Sequence, residues 1–230
     1  MSRPIAFLLT AALLIALVTT RVTTQVSGAW YVSLSGDNTD GQTPSTAWNE
    51  LNQINWTTVQ SGDTILVSPG VYQSSLVVGK SGVSILANGG QVTIFGGRST
   101  PLPECGLSSY TYQTARLIGV DFNNQSNVIL DGLEWSGFRV YGHNQHGIRL
   151  SGTSNTIRNV EVFDNGKAVF GGSTWYPDQP GIRPSGSGHR VERSIVHDNG
   201  QDAFQTGSQW NDFTLRESWL YNARLHSSAT

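Results

Sequence analysis

The chain has 230 residues, with 14 Lys and Arg against 16 Asp and Glu and a net charge of −2 at neutral pH. No basic stripe is present to track nucleic acid, and so small a charge gives no bulk attraction to an anionic polymer, so an acidic ligand needs local cations or a metal. The single cysteine, Cys105, excludes an internal disulfide and leaves stability to packing.

Residues 1–29 read as an export signal. Arg3 precedes an apolar run of 14 residues from Ile5 to Val18, short of the about 20 that a membrane helix needs. Ser27-Gly28-Ala29 fits a small-residue cleavage site before Trp30. The expectation is a secreted or cell-surface protein with no stable membrane span after cleavage; an uncleaved anchor helix is the alternative. Without Arg3 and Arg21, the remaining domain, 30–230, holds 12 basic and 16 acidic residues.

Within it, 30–62 reads as a first strand, Trp30-Tyr31-Val32, followed by a short capping helix whose apolar positions are Leu51, Ile54 and Val59. Gly62-Asp63 then makes a turn, Ile65 and Val67 alternate inward, and Pro69-Gly70 turns the chain again. Val77, Val83, Ile85, Val92 and Ile94 continue the pattern.

The second half repeats itself. Val128, Ile157, Val191 and Leu215 stand at one repeat position, with spacings of 29, 34 and 24 residues. Leu133, Val162, Val196 and Leu220 stand five residues later, and Gly137, Gly166 and Gly200 close three units. A further short strand recurs between units at Ile148-Arg149, Ile182-Arg183 and Phe204-Gln205. One side of the repeat is nearly constant and the other varies freely, as in a coil that carries variable loops on one face. The predicted fold is all-β: a right-handed parallel β-helix with a short N-terminal capping helix, its 63–230 segment forming about five to seven coils. No capping segment is visible after the last strand, so the chain is expected to be the N-terminal part of a longer protein or a truncated gene product.

The run Ser61-Gly62-Asp63-Thr64-Ile65-Leu66-Val67-Ser68-Pro69-Gly70-Val71-Tyr72, after the strand and cap, resembles the opening of extracellular right-handed parallel β-helix proteins of the pectate-lyase-like group. That resemblance implies a carbohydrate-active protein, with polysaccharide lyase as the leading activity. The same fold also carries non-catalytic glycan-binding or scaffold proteins and glycoside hydrolases, and both stay open.

Columns of side chains one coil apart are the candidate sites. Arg149, Arg183 and Gln205 each follow an inward apolar residue, so alternation points them outward. Two guanidiniums in line suit the carboxylates of a uronic-acid polysaccharide and the charge that develops when a lyase removes the neighbouring proton. Solvated arginines paired with nearby acids are the plainer reading. Asp164 and Asp198 share a repeat position and Asp202 follows. The run Asn199-Gly200-Gln201-Asp202-Ala203-Phe204-Gln205 partly resembles an N-x-D-D-G-F-D motif that supplies calcium-binding aspartates in one lyase family, which makes calcium the expected cofactor and these three aspartates its ligands. Turn chemistry with stacked Asn side chains explains Asp-Asn-Gly equally well. Lys167, in the longest variable loop, is a candidate base. Trp175 and Tyr176 in that loop, like Trp135 and Trp210 on other turns, offer rings for sugar faces or simple loop anchors. His143, His146 and His197 read as loop polar residues, with metal or base chemistry the sharper option.

Overall fold

Residues 28–97, 118–166, 169–171, 174–176, 179–205 and 210–222 are described by the structure, a computed structural model. Short strands wind into three parallel sheets, each turn adding a strand to the stack. Sheet A holds seven strands: Ala29–Val32, Thr64–Val67, Ser84–Ala87, Ile129–Asp131, Thr156–Arg158, Arg190–Glu192 and Thr214–Arg216. Sheet B holds six: Gly70–Tyr72, Val92–Phe95, Phe138–Tyr141, Val160–Phe163, Ile195–His197 and Trp219–Tyr221. Sheet C holds four: Leu76–Val77, Val120–Asp121, Ile148–Leu150 and Ile182–Pro184, with Phe204 bridged onto the last. This is the right-handed parallel β-helix that the repeat predicts. No helix among the described residues is long and apolar enough to cross a membrane.

The core is a set of in-register rows. Ile65, Ile85, Leu130, Ile157 and Val191 line up in sheet A. Tyr72, Ile94, Val140, Val162 and Val196 do so in sheet B. Leu76, Val120, Ile148 and Ile182 form the row of sheet C. All are fully buried, and each such side chain stabilises by about 1.5–3 kcal/mol relative to exposure. On the last described rung Leu215 and Leu220 are 40% and 43% exposed.

Corners are built by residues in the left-handed region, where short polar side chains are tolerated. Asn159 (φ 57°) turns sheet A into sheet B, and Asp164 (φ 51°) and Asp198 (φ 50°) turn sheet B towards sheet C. A buried asparagine ladder follows. The Asn165 side-chain amide donates to the carbonyls of Phe163 and Val140, and that of Asn199 to His197 and Val162. Their side-chain oxygens accept the next-rung N–H groups of His143 and Asn165. The expected Asn stacking is therefore present, and it satisfies backbone groups that a sharp corner would orphan.

The expected capping helix is a single 3-10 turn, Leu51–Gln53, with Leu51, Ile54 and Val59 buried against the end of the core. Trp48 stacks on Trp30 at 5.5 Å. Asp63, 3% exposed, accepts hydrogen bonds from Gly28 N, Trp30 Nε1 and Gln60 N at 2.7, 2.7 and 2.8 Å. Burial raises its pKa, but these donors outweigh that and hold the carboxylate below its usual range.

One part of the repeat is corrected. Leu130, not Val128, stands opposite Ile157, and Val140, not Leu133, stands opposite Val162. Gly137 precedes a sheet B strand, and the place equivalent to Asn165 is taken by His143, whose N–H meets the Asn165 side chain. The cause is an enlarged corner at 132–137, where Leu133 (φ 62°) and Ser136 (φ 57°) bulge outward. Leu133 is half exposed rather than in the core.

Candidate functional site

The outer face of sheet C gathers the chemistry. Because Ile148 and Ile182 point inward, Arg149 and Arg183 stand outside and in register, as alternation predicts. The Phe204 bridge to Ile182 puts Gln205 next along the column. The row extends the other way through Asp121, opposite Arg149, to Val77.

Asp121 was not singled out by the sequence, and it changes the role of Arg149. The Arg149 Nε donates to Asp121 Oδ1 at 2.9 Å and its Nη2 pairs with Oδ2. This forked ion pair, with the Asp121 side only 10% exposed, raises the guanidinium pKa. Asn123 N also donates to Asp121. Among the described residues no carboxylate pairs with Arg183. Its Nη1 instead lies 3.4 Å from His146 Nε2.

His143 and His146 are not solvated loop residues. They are 0% and 4% exposed, folded into the turn that leads to sheet C. Burial first, and then the cations Arg183 and Arg149, push the His146 pKa down to about 4. The ring is thus neutral at ordinary pH, with Nε2 an acceptor facing a guanidinium.

The variable loop leaves the tube between Gly166 and Gln179, whose backbones pair at 2.7 Å. It contains an antiparallel hairpin of Val169–Gly171 with Thr174–Tyr176, so Trp175 and Tyr176 belong to its second strand. Lys167 lies outside the described residues. Asp164 and Asp198 do share a corner position, but the Asp198 carboxylate is held by His197 Nδ1 at 2.6 Å and Asn222 Nδ2 at 2.9 Å. Asp202 sits elsewhere, exposed, with its carbonyl accepting from Gly181 N. Among the described residues no group of three or more His, Cys, Asp and Glu side chains is arranged to hold a metal ion.

A second charged column lies on sheet B. His197 Nε2 contacts Glu161 Oε1 at 3.2 Å, and Arg139 Nε donates to Glu161 Oε2 at 2.8 Å. The His197 ring stacks between Phe163 and Tyr221 at 5.2 and 4.6 Å. Burial lowers the His197 pKa, but Glu161 and Asp198 outweigh it and the net shift is upward. Glu161 in turn falls below its usual range, chiefly through its bond to His197. Each group here has its partner within the ladder, which marks it as a structural clasp.

The three stacked sheets define a parallel β-helix. Solved structures share this fold: pectate lyase Pel9A aligns over 90% of this chain at 15% identity and a TM-score of 0.54. A rhamnogalacturonan lyase aligns over 84% at 17% identity and a TM-score of 0.52. The chain spans 57% of the length of each. No family model and no curated protein matches the sequence.

Proposed function

We propose that this is a secreted, carbohydrate-active β-helix protein that engages a uronic-acid polysaccharide along sheet C, with β-elimination as its chemistry. The observation that carries the reading is the column of Asp121, Arg149, Arg183 and Gln205 with neutral His146 set against Arg183. Solved structures with the same fold include two polysaccharide lyases, which supports a polysaccharide partner.

In this reading Arg183, unpaired with any described carboxylate, takes the uronate carboxylate in its forked donors. Arg149, oriented by Asp121, adds positive potential beside it. Neutralising that carboxylate acidifies the adjacent C–H, and the guanidiniums stabilise the enolate-like charge that forms when the proton leaves. The proton passes to a base, the C–H electron pair becomes the new C=C bond, and the glycosidic oxygen departs on the other side. Lys167 or an arginine is the candidate base. Gln205, Trp175 and Tyr176 extend the surface along the polymer.

The test is incubation with pectate, alginate and glycosaminoglycans, each with and without calcium. Ultraviolet absorbance of an unsaturated uronate, lost in Arg183→Ala, is the expected result. No such product on any polymer ends the lyase reading. Retardation by an acidic polymer without product, abolished by Arg183→Ala, would leave the non-catalytic binding protein in its place.

A further inference from the structure

Away from sheet C, the corner between sheets A and B carries an aromatic and charged surface that the proposed reaction does not use. In later turns this corner is a single left-handed residue: Asn159, Arg193 (φ 45°) or Glu217 (φ 49°). In the turn that begins at Ile129–Asp131 it is the enlarged loop 132–137. That loop carries Trp135 along the helix axis to meet Trp219, whose strand lies three rungs further on, about 14 Å at the spacing of adjacent strands. The two indoles meet edge to face, with ring centres 5.9 Å apart. Such a pair covers little of either ring, and Trp219 and Trp135 remain 62% and 45% exposed. Arg216 and Glu217, just before Trp219 in the chain, and Glu192 and Arg193 on the preceding rung line a cavity of about 190 Å³. Arg216 and Glu217 are paired at 3.0 Å.

We propose that this corner is a second sugar-binding site, and that its ligand is a neutral polysaccharide. Exposed indole faces stack on the apolar faces of sugar rings and bury large area with little loss of side-chain freedom. Guanidinium and carboxylate groups beside them match the remaining donors and acceptors, since hydroxyls both accept from Arg and donate to Glu. Two positive and two negative charges cancel across the cavity, so nothing there selects an anion, and Glu192 and Glu217 oppose a uronate. The loop holds two non-glycine residues in the left-handed region to present one solvent-exposed tryptophan, an arrangement that a need for core packing does not explain. This site does not depend on the activity of sheet C.

The test is affinity electrophoresis of the full chain through gels containing galactan, galactomannan or hydroxyethylcellulose, with polygalacturonate as the acidic comparator. Retardation is expected in at least one neutral gel. It should weaken about tenfold in Trp219→Ala, fall in Trp135→Ala, and persist in Trp219→Phe and in Arg183→Ala. Circular dichroism shows whether each variant is folded, and Trp135→Ala and Trp219→Phe carry the reading if Trp219→Ala is not. Absence of retardation in every neutral gel overturns the proposal, as does retardation that survives both alanine substitutions. Retardation by polygalacturonate alone, lost in Arg183→Ala, would sink the corner site and leave the sheet C reading standing.

Discussion

His146 beside sheet C and His197 on sheet B occupy the wall of one tube, yet their pKa values move in opposite directions. His146 is buried against two guanidiniums and stays neutral, with its pKa near 4. His197 is clasped by Glu161 and Asp198, whose carboxylates outweigh its burial and raise its pKa. The surroundings of each column explain the contrast. On sheet B the charges close on one another: Arg139 on Glu161, Glu161 on His197, His197 on Asp198, with rings stacked alongside. On sheet C the closure stops at Asp121 and Arg149, and among the described residues the cation of Arg183 meets a neutral ring and no carboxylate. A ladder that satisfies itself builds structure; one that ends on an unmatched cation can recruit an anion from outside.

Four experiments sharpen or break that contrast. The largest effect is expected from Arg183→Ala, which should weaken retardation by an acidic polymer about tenfold to a hundredfold while leaving the melting temperature unchanged. Equal retardation of wild type and variant would place sheet C in the same structural class as sheet B. Next comes Glu161→Gln, which leaves the partly buried His197 and Arg139 short of their anion. Urea unfolding should show a loss of about 1–3 kcal/mol, with polymer binding intact. The third measurement is the urea midpoint against pH. The His197 pKa is raised above 6.5 on folding, so its stabilisation is complete below 6.5 and fades as pH climbs through the folded value. His146 falls from 6.5 to about 4, so its burial costs stability increasingly as pH drops from 6.5 towards 4. His197→Gln should therefore flatten the alkaline limb and spare the acid limb; loss of both would contradict the independence of the two columns. The smallest effect belongs to Val77→Ala, an exposed position at the far end of the sheet C column, expected to change stability by less than about 0.5 kcal/mol.

Much of this architecture was legible in the sequence, because a stacked coil writes its register as a repeat. Ile148-Arg149 against Ile182-Arg183, and Ile157 against Val191, are read directly from matching apolar residues. The first unit slipped for a physical reason. Val128 and Leu130 are both buried, so either satisfies an apolar position, and the five-residue offset to Leu133 imitates the regular unit. Only Gly132 and Gly137, bracketing the bulge, hinted that the corner was longer there. His143 escaped because it takes the place of an asparagine in the ladder, and a substitution breaks the very pattern used to find the position. Asp121 was within reach: Val120-Asp121-Phe122 alternates like Ile148-Arg149-Leu150, with both flanking residues buried. Glu161, by contrast, is defined by partners on neighbouring rungs, which no single repeat unit displays.

The hairpin between Gly166 and Gln179 hangs from a neck that is already closed. Gln179 N donates to the Gly166 carbonyl, Gly166 N to that of His143, and Gln201 N to that of Gln179. The strand registers on either side proceed as though nothing intervened. Such a neck makes the excursion a removable module: segments can be exchanged there during evolution or by engineering, altering what the surface recognises while the barrel of rungs beneath keeps its winding.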